Sequence, residues 1–401
     1  MLATLFPHVH RRYEASRYAV DLDAFATWLS TVGYSHDSAQ GHVFRLKQML
    51  EHARRRLGAC FTEAQLHEAF TVPDGRQIVY RGTQRTFLAF LKHTDRFVAA
   101  PSTDRFGGLR ADYRHYLVEV WGFSGSTVAQ HDATVGDLLV RMLGRRKGLS
   151  DLTNEDIERY VQTRSQEVTR QTLQHVVARL RAFLRYGHSQ GVLPCLLPVI
   201  DTPRTYRGEL PPRAIDWPLV VKLLASVDRA DRRGWRDYAV LHLMAYYGLR
   251  PSEIAALDVA AIDWTAKTLR VAQRKTRSEL ILPLADRTIA MLRRYLRFGR
   301  PPSAHPQLFL RARCPYGPLT HYGIVDIFYT RAQASGLALS GASSYGLRHA
   351  FAMRLLRRGV GVKAIGDLLG HRSLESTCVY LRLDTDMLRA VALPVPLQTH
   401  R

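Results

Sequence analysis

Cysteine is scarce in this sequence, and its spacing suggests neither a metal site nor a disulfide framework. Only four cysteines occur in 401 residues, Cys60, Cys195, Cys314 and Cys378, and none belongs to a C-x-x-C pair. Such widely separated cysteines are not those of a zinc ribbon or a disulfide-stapled secreted domain. The pattern therefore favours a protein of the reducing cytosol.

Long apolar runs and common cofactor motifs are missing as well. No stretch reaches 18 apolar residues, and the N-terminal segment MLATLFPHVHRRYEASRY lacks the apolar centre of a signal peptide. The sequence contains neither a G-x-x-x-x-G-K-[ST] loop nor an H-E-x-x-H pair. We therefore expect a soluble cytoplasmic protein with no membrane partner, no metal and no cofactor.

Acidic residues are few relative to basic ones. Lysine and arginine number 57 against 35 aspartates and glutamates, which gives a formal net charge of +22 and a pI near 10.3. An excess of this size favours a polyanionic partner, most commonly nucleic acid, although a solvated basic surface is the alternative. An apolar fraction of 46% in 401 residues is enough to build two or three ordinary domains.

The first half of the chain contains a weak internal repeat. Residues 21–50 can be laid over residues 110–139 at an offset of 89, and residues 61–70 over 152–161 at an offset of 91. The matched pairs include Gly33 with Gly122, Ser35 with Ser124, His42 with His131, and Leu50 with Leu139. We interpret this as two related helical modules, the alternative being chance similarity between two bundles.

Proline content and helical periodicity indicate where the modules end. We predict an N-terminal helical module at 1–106, a second helical module at 107–193, a proline-rich linker at 194–213 and a last domain at 214–401. In the last domain, TLRV and LILPL read as a short hairpin among amphipathic helices. The fold class is therefore mainly α with a small antiparallel sheet.

Five residues of the last domain together suit attack on a phosphodiester: Arg250, Lys275, Arg348, His371 and Tyr380. Two guanidinium groups can neutralise the charge that grows on a phosphate in the transition state. A histidine can move a proton near neutral pH, a lysine can protonate a departing oxygen, and a tyrosine can act as the nucleophile. Taken alone, each residue is as easily a core or surface side chain.

Three segments give this set a family resemblance: GLRPSEIAALDVAAID, KTRSELILPL and YGLRHAFAMRLLRRGVGVKAIGDLLGHRSLESTCVY. In order and spacing they resemble the catalytic domain of the tyrosine recombinases, the phage integrase family. Residues 107–193 are similar to that family's SAM-like core-binding domain.

The resemblance implies a role for each of the five residues. Tyr380 would attack the scissile phosphate of duplex DNA and form a 3′-phosphotyrosyl bond. Arg250 and Arg348 would hold that phosphate, Lys275 would protonate the 5′ oxygen, and His371 would occupy the family's second histidine-or-tryptophan position.

Two features depart from the family pattern. The box that usually begins with histidine or lysine begins here with Tyr345, whose phenol can donate a hydrogen bond but is a poor base at neutral pH. The additional module at 1–106 is the second departure, and long recombinases of this kind resemble those encoded in sets on transposon-like elements.

We therefore expect a site-specific DNA recombinase of the integrase or transposase type, active as a homotetramer on DNA, with or without related recombinases. One alternative is a type IB topoisomerase, against which the tandem helical modules argue. The other is a catalytically weak or inactive accessory DNA-binding protein, which only Tyr345 favours.

Overall fold

The computed structural model describes residues 1–52, 60–70, 77–99, 104–144, 147–193, 214–273, 278–371 and 373–381. The predicted linker at 194–213, Lys275, Cys195, most of the basic run HARRRLG at 52–58 and the segment after Leu381 lie outside these ranges. Contacts sort the chain into two compact units, one formed by Met1–Phe97 with Leu210–Arg401 and the other by Val98–Glu209.

The N-terminal part of the first unit is a helical bundle with a core of its own. Its elements are α1 (Leu2–Leu5), α2 (His10–Glu14), α3 (Ala19–Val32), α4 (His36–His52), β1 (Phe61–Thr62), α5 (Glu63–Ala69), α6 (Gln77–His93) and β2 (Phe97–Val98). The core contains Phe25, Leu29, Leu46, Phe87 and Phe90, all 2% exposed or less.

The second unit is also helical and has a separate core. Its elements are α7 (Gly107–Glu119), α8 (Gly125–Leu143), a 3-10 turn at Leu149–Asp151, α9 (Asn154–Glu167) and α10 (Arg170–Ser189). Tyr113, Val135, Leu180 and Phe183 are among its fully buried side chains.

The α3–α6 and α7–α10 groups share one plan. Left-handed glycines follow α3 and α7, with φ of 91° at Gly33 and 60° at Gly122. Thr62 caps α5 and Thr153 caps α9, each through a reciprocal capping box that satisfies two otherwise unpaired amides. The α4 and α8 helices also bury matching residues at the predicted offset of 89, including the pairs Leu46 with Val135 and Leu50 with Leu139. These features recur at the offsets of the sequence repeat, and a common origin of the two groups stays a prediction.

The C-terminal part of the first unit is built around a buried helix. Its elements are α11 (Trp217–Ala225), α12 (Arg232–Tyr247), α13 (Pro251–Ala255), β3 (Ile262–Asp263), β4 (Thr268–Gln273), β5 (Ser278–Pro283), α14 (Asp286–Arg294), a π turn at Tyr295–Gly299, α15 (His321–Ala334), α16 (Ser344–Arg357), α17 (Val362–Leu369) and α18 (Glu375–Cys378). The α12 helix is buried almost throughout from Gly234 to Ala245, because α11, α13, α14, α15, α16 and the π turn pack around it.

The small sheet is antiparallel in the order β3-β4-β5. Leu269 pairs with Leu282 and Val271 pairs with Leu280, so the alternating apolar residues of β4 face the core. The predicted fold class, mainly α with a small antiparallel sheet, is confirmed. The sequence analysis did not identify β3, which is only two residues long.

Local signals explain where the helices around the candidate site begin and end. Pro218 lies in the first turn of α11, and Asp231 caps α12 by accepting a hydrogen bond from the Gly234 amide at 2.7 Å. Gly248 ends α12 and Gly370 ends α17, both in the left-handed conformation. Within the described ranges, no helix has both the length and the apolar character needed to cross a lipid bilayer.

Candidate active site

Helix termini position four of the five predicted catalytic residues. Arg250 directly precedes α13, Arg348 is the fifth residue of α16, His371 follows the glycine that ends α17, and Tyr380 lies just beyond α18. These elements bring together parts of the chain up to 130 residues apart. The fifth residue, Lys275, lies outside the described residues, in the connection between β4 and β5.

Arg348 ties two helix ends together. Its Nη1 donates to the carbonyl of Gly248 at 2.5 Å, and its Nη2 donates to the carbonyl of Leu369 at 2.6 Å. Both carbonyls belong to helix C-termini, where unpaired oxygens and the helix dipole favour a cation. The side chain is buried, and burial, followed by the nearby charge of Arg250, lowers the pKa of Arg348 to about 10. The guanidinium is therefore still charged at neutral pH.

Glu253 provides the negative charge between the two arginines. Its Oε1 accepts a hydrogen bond from Arg250 Nη1 at 2.5 Å, and its Oε2 accepts one from the Arg250 amide at 2.8 Å. The same Oε2 lies 3.9 Å from Arg348 Nη1. Only 5% of the Glu253 side chain is exposed, so one buried carboxylate orients one arginine and partly compensates both. The position of Glu253 three residues after Arg250 had already suggested that it could fix the orientation of that arginine, but its proximity to Arg348 was not foreseen.

His371 is fixed by a neighbour on the next helix. Its Nδ1 lies 2.8 Å from Thr377 Oγ1, and Thr377 is fully buried. Burial and then the charges of Arg348 and Arg250 lower the pKa of His371 to about 4, so the ring is neutral at pH 7. With Nδ1 held by the threonine, Nε2 is the ring nitrogen left to face a substrate.

Tyr380 is buried, and two histidines flank it. Only 3% of its surface is exposed, its hydroxyl lies 3.1 Å from His349 Nδ1, and its ring is nearly parallel to that of His371 with the centroids 6.4 Å apart. Burial raises the pKa of Tyr380, while the charges of Arg348 and Arg250 lower it. The two arginines thus favour the phenolate over the phenol.

His349 is the residue that sequence reasoning missed. Burial and then the charge of Arg348 lower its pKa, so this ring too is neutral near pH 7. The available signal was its position in a helix whose first turn holds the Tyr345 box, four residues earlier and on the same face. That face could be recognised as a site only once Tyr380, 31 residues away, was known to pack on it.

Tyr345 lies in the first turn of α16, and 41% of its surface is exposed. Its phenol is close enough to Arg348 to contribute to that residue's electrostatic environment. Buried packing therefore does not explain Tyr345.

The arrangement has the composition of a phosphoryl-transfer site. Among the described residues, two guanidinium groups, a neutral histidine and a phenol come together, with the Glu253 carboxylate orienting Arg250. Positive charge gathered in a low-dielectric pocket stabilises an anion and an anionic transition state. The set can therefore bind a phosphodiester and present it to a tyrosine oxygen.

Comparison with known proteins places the same region in one family. Residues 218–387 match the model of the phage integrase family. The chain is 32% identical over 287 residues to "Putative integrase/recombinase y4rA" of Sinorhizobium fredii, an alignment that covers 71% of this chain and 70% of that protein. It is 28% identical to y4rF of the same organism, which carries the same description, across 97% of this chain and 94% of that protein.

Named recombinases and solved structures agree with that match. The chain is 27% identical to tyrosine recombinase XerD of Listeria monocytogenes over 67% of this chain and 92% of that protein. A lambda integrase dimer bound to a COC′ core site has a TM-score of 0.54 at 16% identity, covering 82% of this chain and 91% of that one. The Tn1549 transposon integrase in complex with a circular intermediate DNA has a TM-score of 0.53 at 13% identity, with coverage of 70% and 99%. At such low identities, the structures establish a shared fold.

Proposed function

Because the chain belongs to the phage integrase family of tyrosine recombinases, which are site-specific DNA recombinase enzymes, we propose that it cuts and rejoins duplex DNA through Tyr380. The observation that carries the proposal is the burial of the Tyr380 hydroxyl beside Arg348, Arg250 and His371. Tyr380 would attack the scissile phosphate and form a 3′-phosphotyrosyl ester, releasing a 5′-hydroxyl.

In this mechanism the arginines act mainly on the transition state. Arg348 and Arg250 would donate hydrogen bonds to the non-bridging oxygens, whose negative charge grows as the tyrosine oxygen approaches phosphorus. His371 would donate from Nε2 to the same phosphate, since its Nδ1 is held by Thr377. Rejoining would reverse these steps with a new 5′-hydroxyl, so the exchange conserves the number of phosphodiester bonds and needs no external energy source.

Two roles rest on position in the motif alone. Lys275 would protonate the departing 5′ oxygen, as the family motif implies for this position in the β4–β5 connection. Tyr345 would donate a hydrogen bond from its hydroxyl to the phosphate. This hydrogen bond would contribute to phosphate binding, whereas a neutral phenol is a poor base and would not take up the proton of the nucleophile.

The proposed partner is double-stranded DNA. The lambda and Tn1549 integrases that share this fold were solved with DNA, and the charge of +22 suits a phosphate backbone. We further propose a homotetramer that brings two DNA sites together, with related recombinases as additional partners where one mobile element encodes several.

Covalent trapping tests the proposal. The protein is incubated with nicked duplexes drawn from the flanks of its own gene and analysed on a denaturing gel. A slower band that is lost in Tyr380→Phe, while binding of the same DNA persists, is the expected result. Tight binding without any adduct would instead favour the accessory DNA-binding role, which the exposed Tyr345 in the histidine-or-lysine position supports.

A further inference from the structure

The roles assigned to the five residues predicted from the sequence do not include an acceptor for the proton of Tyr380. Tyr380 must lose its proton as its oxygen bonds to phosphorus, and a phenol with a raised pKa does not lose it readily. The box position that usually carries histidine or lysine holds Tyr345, which is a poor base. A different group near Tyr380 must therefore take the proton.

Geometry distinguishes the two histidines of the site. His349 Nδ1 is 3.1 Å from the Tyr380 hydroxyl, which is hydrogen-bond distance. His371 Nδ1 instead lies 2.8 Å from Thr377 Oγ1, which holds that nitrogen. The His371 ring is nearly parallel to the Tyr380 ring, so His371 turns the face of its ring toward the tyrosine. His349, in contrast, places a ring nitrogen at the tyrosine hydroxyl.

The surroundings keep His349 in the form that can accept. Among the described residues, the charged and titratable groups that act on it are Arg348 on its own helix, His371 after α17 and Tyr380 after α18. Arg250 and Glu253 at α13 act in turn on Arg348. Burial and the Arg348 charge disfavour the imidazolium, so the ring is neutral with a free lone pair on Nδ1 when Nε2 carries the proton. A phosphate bound between the arginines would offset their charge and make the imidazolium less costly.

We infer that His349 Nδ1 is the general base that accepts the Tyr380 proton, taking over the proton-transfer role that Tyr345 cannot perform. The inference rests on the proposed function. The O–H bond of Tyr380 breaks with its proton moving to Nδ1, the tyrosine oxygen bonds to phosphorus, and the bond from phosphorus to the 5′ oxygen breaks. That 5′ oxygen takes up one proton from the general acid, and on rejoining His349 returns its proton to Tyr380.

The hydrogen bond itself can be tested without any cleavage. In protein carrying ¹⁵N-histidine, the His349 signals are assigned by their loss in His349→Gln. We expect a neutral ring protonated on Nε2, with an Nδ1 shift typical of a hydrogen-bond acceptor that changes in Tyr380→Phe. An Nδ1 protonated at pH 7.5, or a shift that Tyr380→Phe leaves unaltered, would overturn the inference.

Two substitutions separate proton transfer from simple positioning. His349→Gln keeps an acceptor for the tyrosine hydroxyl but cannot take its proton, whereas His349→Ala leaves a space that free imidazole can enter. On the nicked duplex we expect both to slow adduct formation by about 10²-fold, within the range for general base catalysis, and imidazole to restore His349→Ala alone. The control is His305→Ala, an exposed histidine of the same unit, which should behave as wild type.

The leaving group and the pH profile complete the test. A duplex with sulfur in place of the bridging 5′ oxygen has a leaving group that needs no acid, so it should restore Lys275→Ala but not His349→Gln. Wild-type cleavage should decline only below the ordinary histidine pKa of about 6.5, and that decline should be absent in His349→Gln. A wild-type rate for His349→Gln would refute the inference, and so would its rescue by sulfur. If the wild type forms no adduct with either duplex, the proposed function fails and takes the inference with it.

Discussion

Glu253 shows how a single side chain can set the charge of the site. Its carboxylate accepts two hydrogen bonds from Arg250 and lies within 4 Å of Arg348, in a position that is 5% exposed. Without it, two guanidinium groups would face each other in a buried pocket before any phosphate arrived. The carboxylate offsets part of that repulsion, and the proposed phosphate would bring further negative charge to the same two cations.

Glu253→Gln should therefore lower the free energy of unfolding, although the side chain hardly changes in shape. Gln matches the size of Glu but removes the charge, and hydrogen bonds to charged partners contribute about 1.5–3 kcal/mol. We expect a loss of about 1–3 kcal/mol in the free energy of unfolding, measured by urea denaturation. The matched control is Glu279→Gln on the exposed face of β5, which should change it by less than about 0.5 kcal/mol.

At the scale of secondary structure, the site is a meeting of helix ends. The C-terminus of α12, the start of α13 and the C-terminus of α17 converge, and Arg348 of α16 binds the first and third through their carbonyls. The left-handed glycines make this approach feasible. A Cβ on Gly370 would lie 1.7 Å from Gln273 Nε2 at the end of β4, so the turn that carries His371 is packed directly on the strand that leads to Lys275.

Gly370→Ala should accordingly be more harmful than a left-handed glycine substitution elsewhere. The control is Gly336→Ala, since Gly336 has nearly the same φ, 62° against 63°, but open space where its Cβ would be. Backbone strain alone costs about 1 kcal/mol in both, and displacing the Gln273 amide adds about 1–3 kcal/mol at Gly370. Thermal unfolding measures the difference, and equal losses for the two variants would show that the contact with Gln273 is unimportant.

At the scale of the whole molecule, the charge is unevenly distributed. Residues 214–401 contain 28 lysines and arginines against 14 aspartates and glutamates, whereas residues 1–213 contain 29 against 21. The part of the chain with the candidate site therefore has most of the excess. Such a distribution would attract a polyanion toward the candidate site without any base-specific contact.

DNA affinity should be steeply salt-dependent. If six to ten phosphates are neutralised, counterion release predicts a loss of about 10³–10⁵ in affinity between 50 and 200 mM salt. Fluorescence anisotropy with a duplex from the gene's flanks measures the slope on the full chain. A slope corresponding to only one or two phosphates would mean that the basic excess is a solvated surface.

Stability of the whole chain should fall in mild acid. Burial is the main cause that lowers the pKa of His42, His242 and His371 to about 4, against an ordinary value of 6.5. As the pH falls, these histidines bind protons in the unfolded chain before they do so in the folded chain. The stability present above pH 6.5 is therefore lost as the pH falls from about 6.5 toward 4. Each histidine contributes a slope of at most about 1.4 kcal/mol per pH unit.

The contribution of one histidine can be isolated. His242 is 4% exposed and its Nε2 lies 3.0 Å from Thr288 Oγ1. Urea denaturation at pH 7.5 and 5 should show a shallower pH dependence in His242→Gln than in wild type, with no such change for the exposed His305→Gln. An unchanged dependence in His242→Gln would place the acid lability elsewhere.

Much of the architecture could be predicted because it depends on short-range pattern. Apolar residues at helical spacing and an alternating hairpin predicted amphipathic helices in the last domain, with TLRV and LILPL falling on β4 and β5. The fold class followed, as did the family motif with Arg250, Arg348, His371 and Tyr380. Such signals lie within about 15 residues of chain, where local geometry and side-chain chemistry decide the structure.

By itself, then, the sequence determined the fold class, the order of the helical modules and the identity of the chemical groups. The tertiary structure alone decided how those groups are arranged: that Arg348 binds two helix ends, that Glu253 lies near both arginines, that Tyr345 is exposed and that His349 meets the Tyr380 hydroxyl. The physical reason is that these contacts join segments from 21 to 100 residues apart. Burial and charge at such contacts depend on packing that no local pattern records.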